Sequence, residues 1–287
     1  MSGNATAEFK LSITRALASQ LSETLIQLTP APLTTSALER VEARPGVYEL
    51  FLEGERVYVG KASSSLQERL QRHRSKLSGR LHIDLRRVEF VCVYVDEDLD
   101  AAAPEKLLIK KYRAQGGVPW NTNGFGNKDP GRQRDTSLVR ASHFDATYPI
   151  DLGVEINLGL SHWRVSSLLE AVKERLPFNF RFERSAQAKR VLQTTSVEVP
   201  NASSPLENLV PIIVGQLPNG WQATALPGYL ILYRERREYG SALGWWRSSP
   251  DGAVEWEVGP ERYEGDTSSP VSQLDLGYDE AAEGEEA

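Results

Sequence analysis

The chain has one cysteine and one methionine in 287 residues. A lone Cys92 cannot close an intramolecular disulfide, so disulfide-stapled secreted folds are excluded and a reducing, cytoplasmic compartment is expected. No apolar run approaches the roughly 20 residues of a membrane span. The first residues are small and polar and lead into an amphipathic stretch, without the pattern of a secretory signal. An overall excess of positive charge is also missing: the formal net charge is -6. What remains is 40% hydrophobic and 25% charged, with a mean hydropathy of -0.40. That is a soluble globular chain, long enough for one large domain or two modest ones.

The net charge argues against a nucleic-acid partner only until it is divided. Residues 1–150 carry 21 Lys and Arg against 18 Asp and Glu, a net of +3, and residues 151–287 carry 12 against 21, a net of -9. Between Arg56 and Arg87 nine basic residues meet two acids, a local +7. Phosphate backbones respond to such a local footprint, whatever the global charge.

Hydrophobic spacing divides the chain further. Ile13, Leu17, Leu21 and Leu25 lie four apart and predict an amphipathic helix over 9–28, its stripe serving as core packing or as a dimer seam. Two short β-type runs, 46–52 and 56–61, flank Glu53-Gly54-Glu55 and read as a hairpin. A helix over 65–77, a strand over 88–95 and a helix from Pro104 to residue 113 follow. A long Gly-, Asn-, Asp- and Arg-rich stretch then covers 116–135, a length that favours a functional loop. Beyond Leu152 the expected order is β-α-β-β-α-β, similar to the small domain at the N-terminus of secretins and outer-membrane receptors. The chain is therefore read as α+β, in four parts. These are a helical arm (1–44), a first domain with small antiparallel sheet and flanking helices (45–152), a second α+β domain (153–260) and an acidic disordered tail (261–287).

Side chains alternate faces along a strand. A three-residue turn at Glu53-Gly54-Glu55 pairs Leu52 with Arg56, Leu50 with Tyr58 and Tyr48 with Gly60, so both phenols project from one face. A two-residue turn would separate them. On the next helix Arg69 and His73 are four apart and stack, flanked by Arg72 and Lys76. Glu105 shares a helical stripe with Leu108, Ile109 and Tyr112. A carboxylate there either needs a cation or metal, or favours the first turn of its helix.

Taken in order, Gly46-Val47-Tyr48, Tyr58-Val59-Gly60-Lys61, Arg69, His73, Glu105 and Asn121 resemble the signature of the GIY-YIG nuclease superfamily. The histidine at 73, the stretch from Asn123 to Arg132 and the segment His143-Phe144-Asp145 resemble its type II restriction endonucleases. Between Glu105 and Asn121 this chain carries a few extra residues, from Ala114 to Gly117. The resemblance implies an Mg²⁺-dependent endonuclease that hydrolyses phosphodiester bonds of double-stranded DNA. It implies Glu105 as the single metal ligand and Tyr48 as the group that aligns or deprotonates the attacking water. Tyr58 would orient water or phosphate, Arg69 and Lys61 would neutralise developing charge, and Asn121 would position the phosphate or Glu105. A free phenol titrates near 10 and imidazole near 6.5, so either Tyr48 or His73 serves as the ultimate base.

DNA is expected to be contacted by Arg72 and Lys76 on the helix, and by Asn123, Asn127, Lys128, Arg132 and Arg134 in the long loop. The family implies a homodimer on palindromic sites and a companion methyltransferase that shields the host genome. Two further readings are a nicking nuclease of repair or mobile elements and a non-catalytic DNA-binding protein. The first usually brings a helix-hairpin-helix, zinc or helix-turn-helix module, which residues 151–287 lack, and the second predicts loss of a central residue, whereas all are present.

Overall fold

Seven residues from Gly46 to Leu52 form a strand because five of them are apolar or aromatic, with Val47, Tyr48 and Phe51 β-branched or aromatic; helices cover it on both faces. In the computed structural model, which describes residues 13–95, 102–113, 117–126, 131–159, 161–248 and 252–265, this strand is β2. Before it come α1 (Ile13–Ile26), β1 (Ala31–Pro32) and α2 (Thr35–Leu38), and after it β3 (Glu55–Ala62), α3 (Leu66–Ser78), β4 (Val88–Tyr94) and α4 (Ala102–Arg113). The four strands make one antiparallel sheet in the order β1-β4-β2-β3.

One face of that sheet, carrying Tyr48, Leu50, Tyr58 and Phe90, packs on Leu66, Leu70 and Leu77 of α3. The other, carrying Val47, Val59 and Val91, packs on Leu21 and Leu25 of α1 and on Leu108 and Tyr112 of α4. The leucine stripe of the first helix is therefore core, and the arm is part of the sheet's own packing. Ser65 starts α3 by accepting the Glu68 N–H at 3.2 Å, the local pattern of a serine followed three residues later by glutamate.

The hairpin corrects the expected turn. Glu53 and Gly54 alone form it, with φ of 56° and 81°, and Leu52 pairs with Glu55 and Phe51 with Arg56. Positive φ at both central residues is the tight turn whose twist matches the flanking strands. Carried through, that register would set Tyr48 opposite Val59 and put the two phenols on opposite faces. A bulge at Val57 absorbs one residue, after which Leu50 pairs with Tyr58 and Tyr48 with Gly60 as expected. The extra residue lies in the strand and not in the turn.

The long loop is not structureless. Pro119–Asn121 and Arg132–Thr136 are single 3₁₀ turns, followed by β5 (Val139–Arg140) and α5 (Phe144–Thr147). A second region follows: β6 (Glu155–Asn157), β7 (His162–Arg164), α6 (Val165–Arg175), β8 (Asn179–Phe182), α7 (Ala186–Thr194), β9 (Ser196–Glu198), β10 (Ser203–Pro205), α8 (Leu206–Gln216), β11 (Gln222–Leu226), β12 (Tyr229–Tyr233), β13 (Gly244–Ser248), β14 (Val254–Val258) and β15 (Tyr263–Glu264). Its main sheet runs β14-β13-β11-β12-β8, parallel only between β12 and β8. The short helix α7, of whose nine residues only Ala188 and Leu192 are buried, interrupts the expected order. Helices α6 and α8 cover one face of this sheet; Tyr229, Tyr233, Tyr239 and Trp245 line the other. The tail expected from residue 261 begins with paired chain, because β15 lies parallel to β5; residues 266–287 fall outside the described residues. Among the described residues no helix is long and apolar enough to cross a membrane.

Candidate active site

Leu66, Leu70, His73 and Leu77 form the buried stripe of α3, so His73 occupies a core position on an otherwise basic helix. That stripe faces the phenols of the hairpin. Tyr48 is fully buried, and its hydroxyl lies 2.5 Å from His73 Nε2. Arg69, one turn earlier and on the flank, donates its Nε–H to the same oxygen at 3.2 Å. One phenolic oxygen thus meets both the guanidinium and the imidazole, the direction of the bond to the ring following its tautomer. Tyr58 completes the group, its ring centroid 6.1 Å from Tyr48 and 5.4 Å from His73. Gly60 is required beside them: a Cβ there would fall 2.3 Å from the Tyr48 hydroxyl and 2.7 Å from the Tyr58 ring.

Burial acts on these groups in opposite senses. His73 is pushed down to about 3 by desolvation first, then by the charges of Arg69, Lys76 and Arg72, so the ring is neutral near pH 7 and free to accept a proton bond. Burial also works against the Arg69 charge, but the Tyr48 and Tyr58 hydroxyls outweigh it and raise its pKa. The result is a neutral acceptor and a permanent cation on one phenolic oxygen.

Phe125 was not expected in the site. Its ring stacks on His73 at 5.0 Å and meets Tyr58 edge-on at 5.1 Å, while a Cβ on Gly126 would lie 2.9 Å from the Tyr58 hydroxyl. The sequence signal for it is an aromatic between two glycines, Gly124 and Gly126, in the loop that follows Asn121. Lys76 donates to the Phe125 carbonyl and sits 4.8 Å from its ring; desolvation lowers its pKa to about 8. Asn121 accepts the Val59 N–H at 2.9 Å and donates to the Val59 carbonyl at 2.7 Å. It thus serves the open edge of β3 as a strand partner would, and holds the Tyr58–Gly60 segment in place.

The sheet separates Lys61 from this group. Lys61 pairs across the ladder with Val47, on the face that packs against α1 and α4. Glu105 falls in the first turn of α4; its side chain lies outside the described residues. Among the described residues no three His, Cys, Asp or Glu side chains come together as a metal cluster.

The expected DNA contacts have varied surroundings. Arg72 is exposed and pairs with Glu68 at 3.7 Å. Arg132 lies over the Tyr233 ring at 4.3 Å, between Glu183 and Glu235. Arg134 meets Asp145 at 3.2 Å and His143 Nε2 at 3.1 Å, and Asn123 lines an open groove beside it. Asn127 and Lys128 lie outside the described residues. Immediately after Arg134 the chain is anchored: Asp135 is buried against the second sheet, accepting from Tyr229 at 2.7 Å and from Arg181. Asp145 forms a second anchor, paired at 3.0 Å with the buried Arg80, whose guanidinium also donates to the Tyr148 and Pro227 carbonyls.

Residues 44–118 match the family model of the GIY-YIG catalytic domain, so the chain carries that nuclease domain. The match covers β2, β3, α3, β4 and α4, and with them Tyr48, Tyr58, Arg69, His73 and position 105. No curated protein matches the chain. Nucleases with this domain generally use divalent metal ions and act on DNA.

Proposed function

We propose that this GIY-YIG nuclease domain makes the chain an Mg²⁺-dependent, sequence-specific endonuclease of double-stranded DNA, a type II restriction enzyme of host defence. The observation that carries the reading is the Tyr48 hydroxyl held between Arg69 Nε at 3.2 Å and His73 Nε2 at 2.5 Å. Histidine at 73 favours the restriction branch, as its sequence context does.

Hydrolysis of a phosphodiester needs a deprotonated water in line with the leaving oxygen, and positive charge on the phosphate. Tyr48 aligns the water and takes its proton, passing its own to His73 Nε2; the depressed basicity of His73 makes that transfer transient, so it serves as a relay. Arg69 steadies the phenolic oxygen as its proton leaves and presents the remainder of its guanidinium to the phosphate. Tyr58 and Gly60 set the phenol's position, and Asn121 sets theirs through Val59. Glu105 would hold the Mg²⁺, a single carboxylate leaving the other positions to water and phosphate oxygens, as that ion accepts. When bound it supplies the charge that lowers the pKa of coordinated water. Lys61 lies on the α4 face of the sheet, away from Arg69, and takes no direct part in holding that phosphate. Arg72, Lys76, Asn123, Asn127, Lys128 and Arg134 serve DNA contact, while Arg132 acts more as a tie between the loop and the second sheet.

The division into arm, nuclease domain, accessory domain and acidic tail belongs to the same proposal, as do a homodimer, a companion methyltransferase and a cytoplasmic setting. The decisive experiment is an Mg²⁺-dependent digest of unmethylated phage DNA with fragment ends sequenced, and Glu105→Ala and Tyr48→Phe as controls. Discrete fragments sharing a short palindrome, absent with either variant, are expected. A smear or nicks would refute sequence-specific double-strand cutting, and full cutting by Glu105→Ala would remove the metal assignment.

A further inference from the structure

Next to the phenol group, on the far side of residues 124–126, lies an open groove of about 600 Å³. Gly124 and Gly126 bound that short wall. A Cβ on Gly126 would touch the Tyr58 hydroxyl, and a Cβ on Gly124, where φ is +90°, would overlap His143 Nε2. The groove thus opens on the opposite side of this three-residue wall from the Tyr58 hydroxyl. Its walls carry Asn123, Arg134, Arg140, Ser142 and His143. Arg134 is half-buried and committed to Asp145. Arg140 is different: its side chain is 78% exposed, and its partner is the Glu264 carboxylate, 3.7 Å away and 63% exposed.

Glu264 reaches the groove because β15 pairs with β5 and its carbonyl accepts the Ala141 N–H at 3.0 Å. The acid is thus held on the rim by main chain. The apparent acidity of the second half does not oppose a DNA path here. Residues 151–265 hold 12 basic and 14 acidic side chains, a net of -2, and the other seven acids all follow residue 265.

We propose that this groove is a second phosphate subsite, in which Arg140 and the Ser142 hydroxyl take a DNA backbone phosphate on the far side of the 124–126 wall from the scissile one, and that Glu264 is its built-in competitor. The subsite rests on the nuclease reading and adds to it a contribution from the second region of the chain. Arg134, neutralised by Asp145, orients the groove through His143. An exposed ion pair at this distance is weak, so a phosphate displaces Glu264 readily, and the carboxylate discourages anions that lack further contacts along the track.

The test is binding of a fluorescent duplex to the full chain in EDTA, titrated across salt. Arg140→Gln should weaken binding about tenfold, the scale of one hydrogen bond to a charged group, and reduce the slope of log K against log salt by about 0.9. Glu264→Gln should shift binding the other way, tightening it by up to about fivefold. A wild-type affinity and salt slope in Arg140→Gln, or weaker binding in Glu264→Gln, would overturn the subsite while leaving duplex binding by the wild type, and with it the nuclease reading, intact. Failure of the wild type to bind duplex DNA at all would overturn both.

Discussion

The tightest constraint in the site is the space opposite Tyr48, and Gly60→Ala probes it with a single methyl group. The added Cβ would lie 2.3 Å from the Tyr48 hydroxyl and 2.4 Å from its Cζ. Ordinary contact begins near 3.4 Å, so the phenol must withdraw by about 1.1 Å, the difference between 3.4 and 2.3. Tyr48 is fully buried and Tyr58 nearly so. A bulkier side chain in such a place costs about 1–3 kcal/mol of stability, which the chain can tolerate. A displacement of about 1 Å in a reacting group costs on the order of 10²-fold in rate. The hydrogen bond to His73, now 2.5 Å, lengthens beyond useful range at the same time. Single-turnover cleavage with enzyme in excess reads the chemical step apart from affinity, and duplex binding in EDTA reads affinity alone. Gly60→Ala should cleave about a hundredfold more slowly and bind within a factor of about two of wild type. Cleavage at the parental rate by a folded Gly60→Ala protein would show that the Tyr48 hydroxyl takes no part in the reaction.

Two further outcomes follow from the buried charges. The folded chain holds His73 near 3 against about 6.5 when unfolded. Its contribution to stability is complete above pH 6.5 and is lost as pH falls, reaching about 2 kcal/mol at pH 5 by linkage. The urea midpoint of the wild type should therefore fall further between pH 7.5 and pH 5 than that of His73→Gln, and parallel pH profiles would contradict the buried neutral ring. Asp145→Asn leaves Arg80, whose side chain is 3% exposed, without its carboxylate. Breaking a buried pair from one side costs about 3–5 kcal/mol, and a loss below about 1 kcal/mol would mean that the Tyr148 and Pro227 carbonyls alone hold the guanidinium.

The parts of the site built from local periodicity were legible in the residues themselves. Tyr48, Tyr58 and Gly60 declare a strand pair, and Arg69 and His73 declare one helical face, because alternation by two and stacking by four are properties of the backbone. Ser65 and Glu68 mark where that helix starts, and the antiparallel hairpin follows from two apolar runs around Glu53-Gly54. Tertiary structure decided the rest. Whether the phenols share a face depended on the bulge at Val57, a one-residue shift that strand propensity does not encode and that burial of Leu50 and Tyr58 against α3 enforces. Phe125 reached His73 across 52 positions, and Asn121 turned out to serve the Val59 main chain, because an edge strand needs its hydrogen bonds met by whatever packs there. The ties of Arg132, Asp135 and Asp145 and the placement of Glu264 beside Arg140 join residues up to about half the chain apart. Such pairings are selected by the burial of whole surfaces, and charge counting along the chain, dominated here by seven acids after residue 265, points away from them.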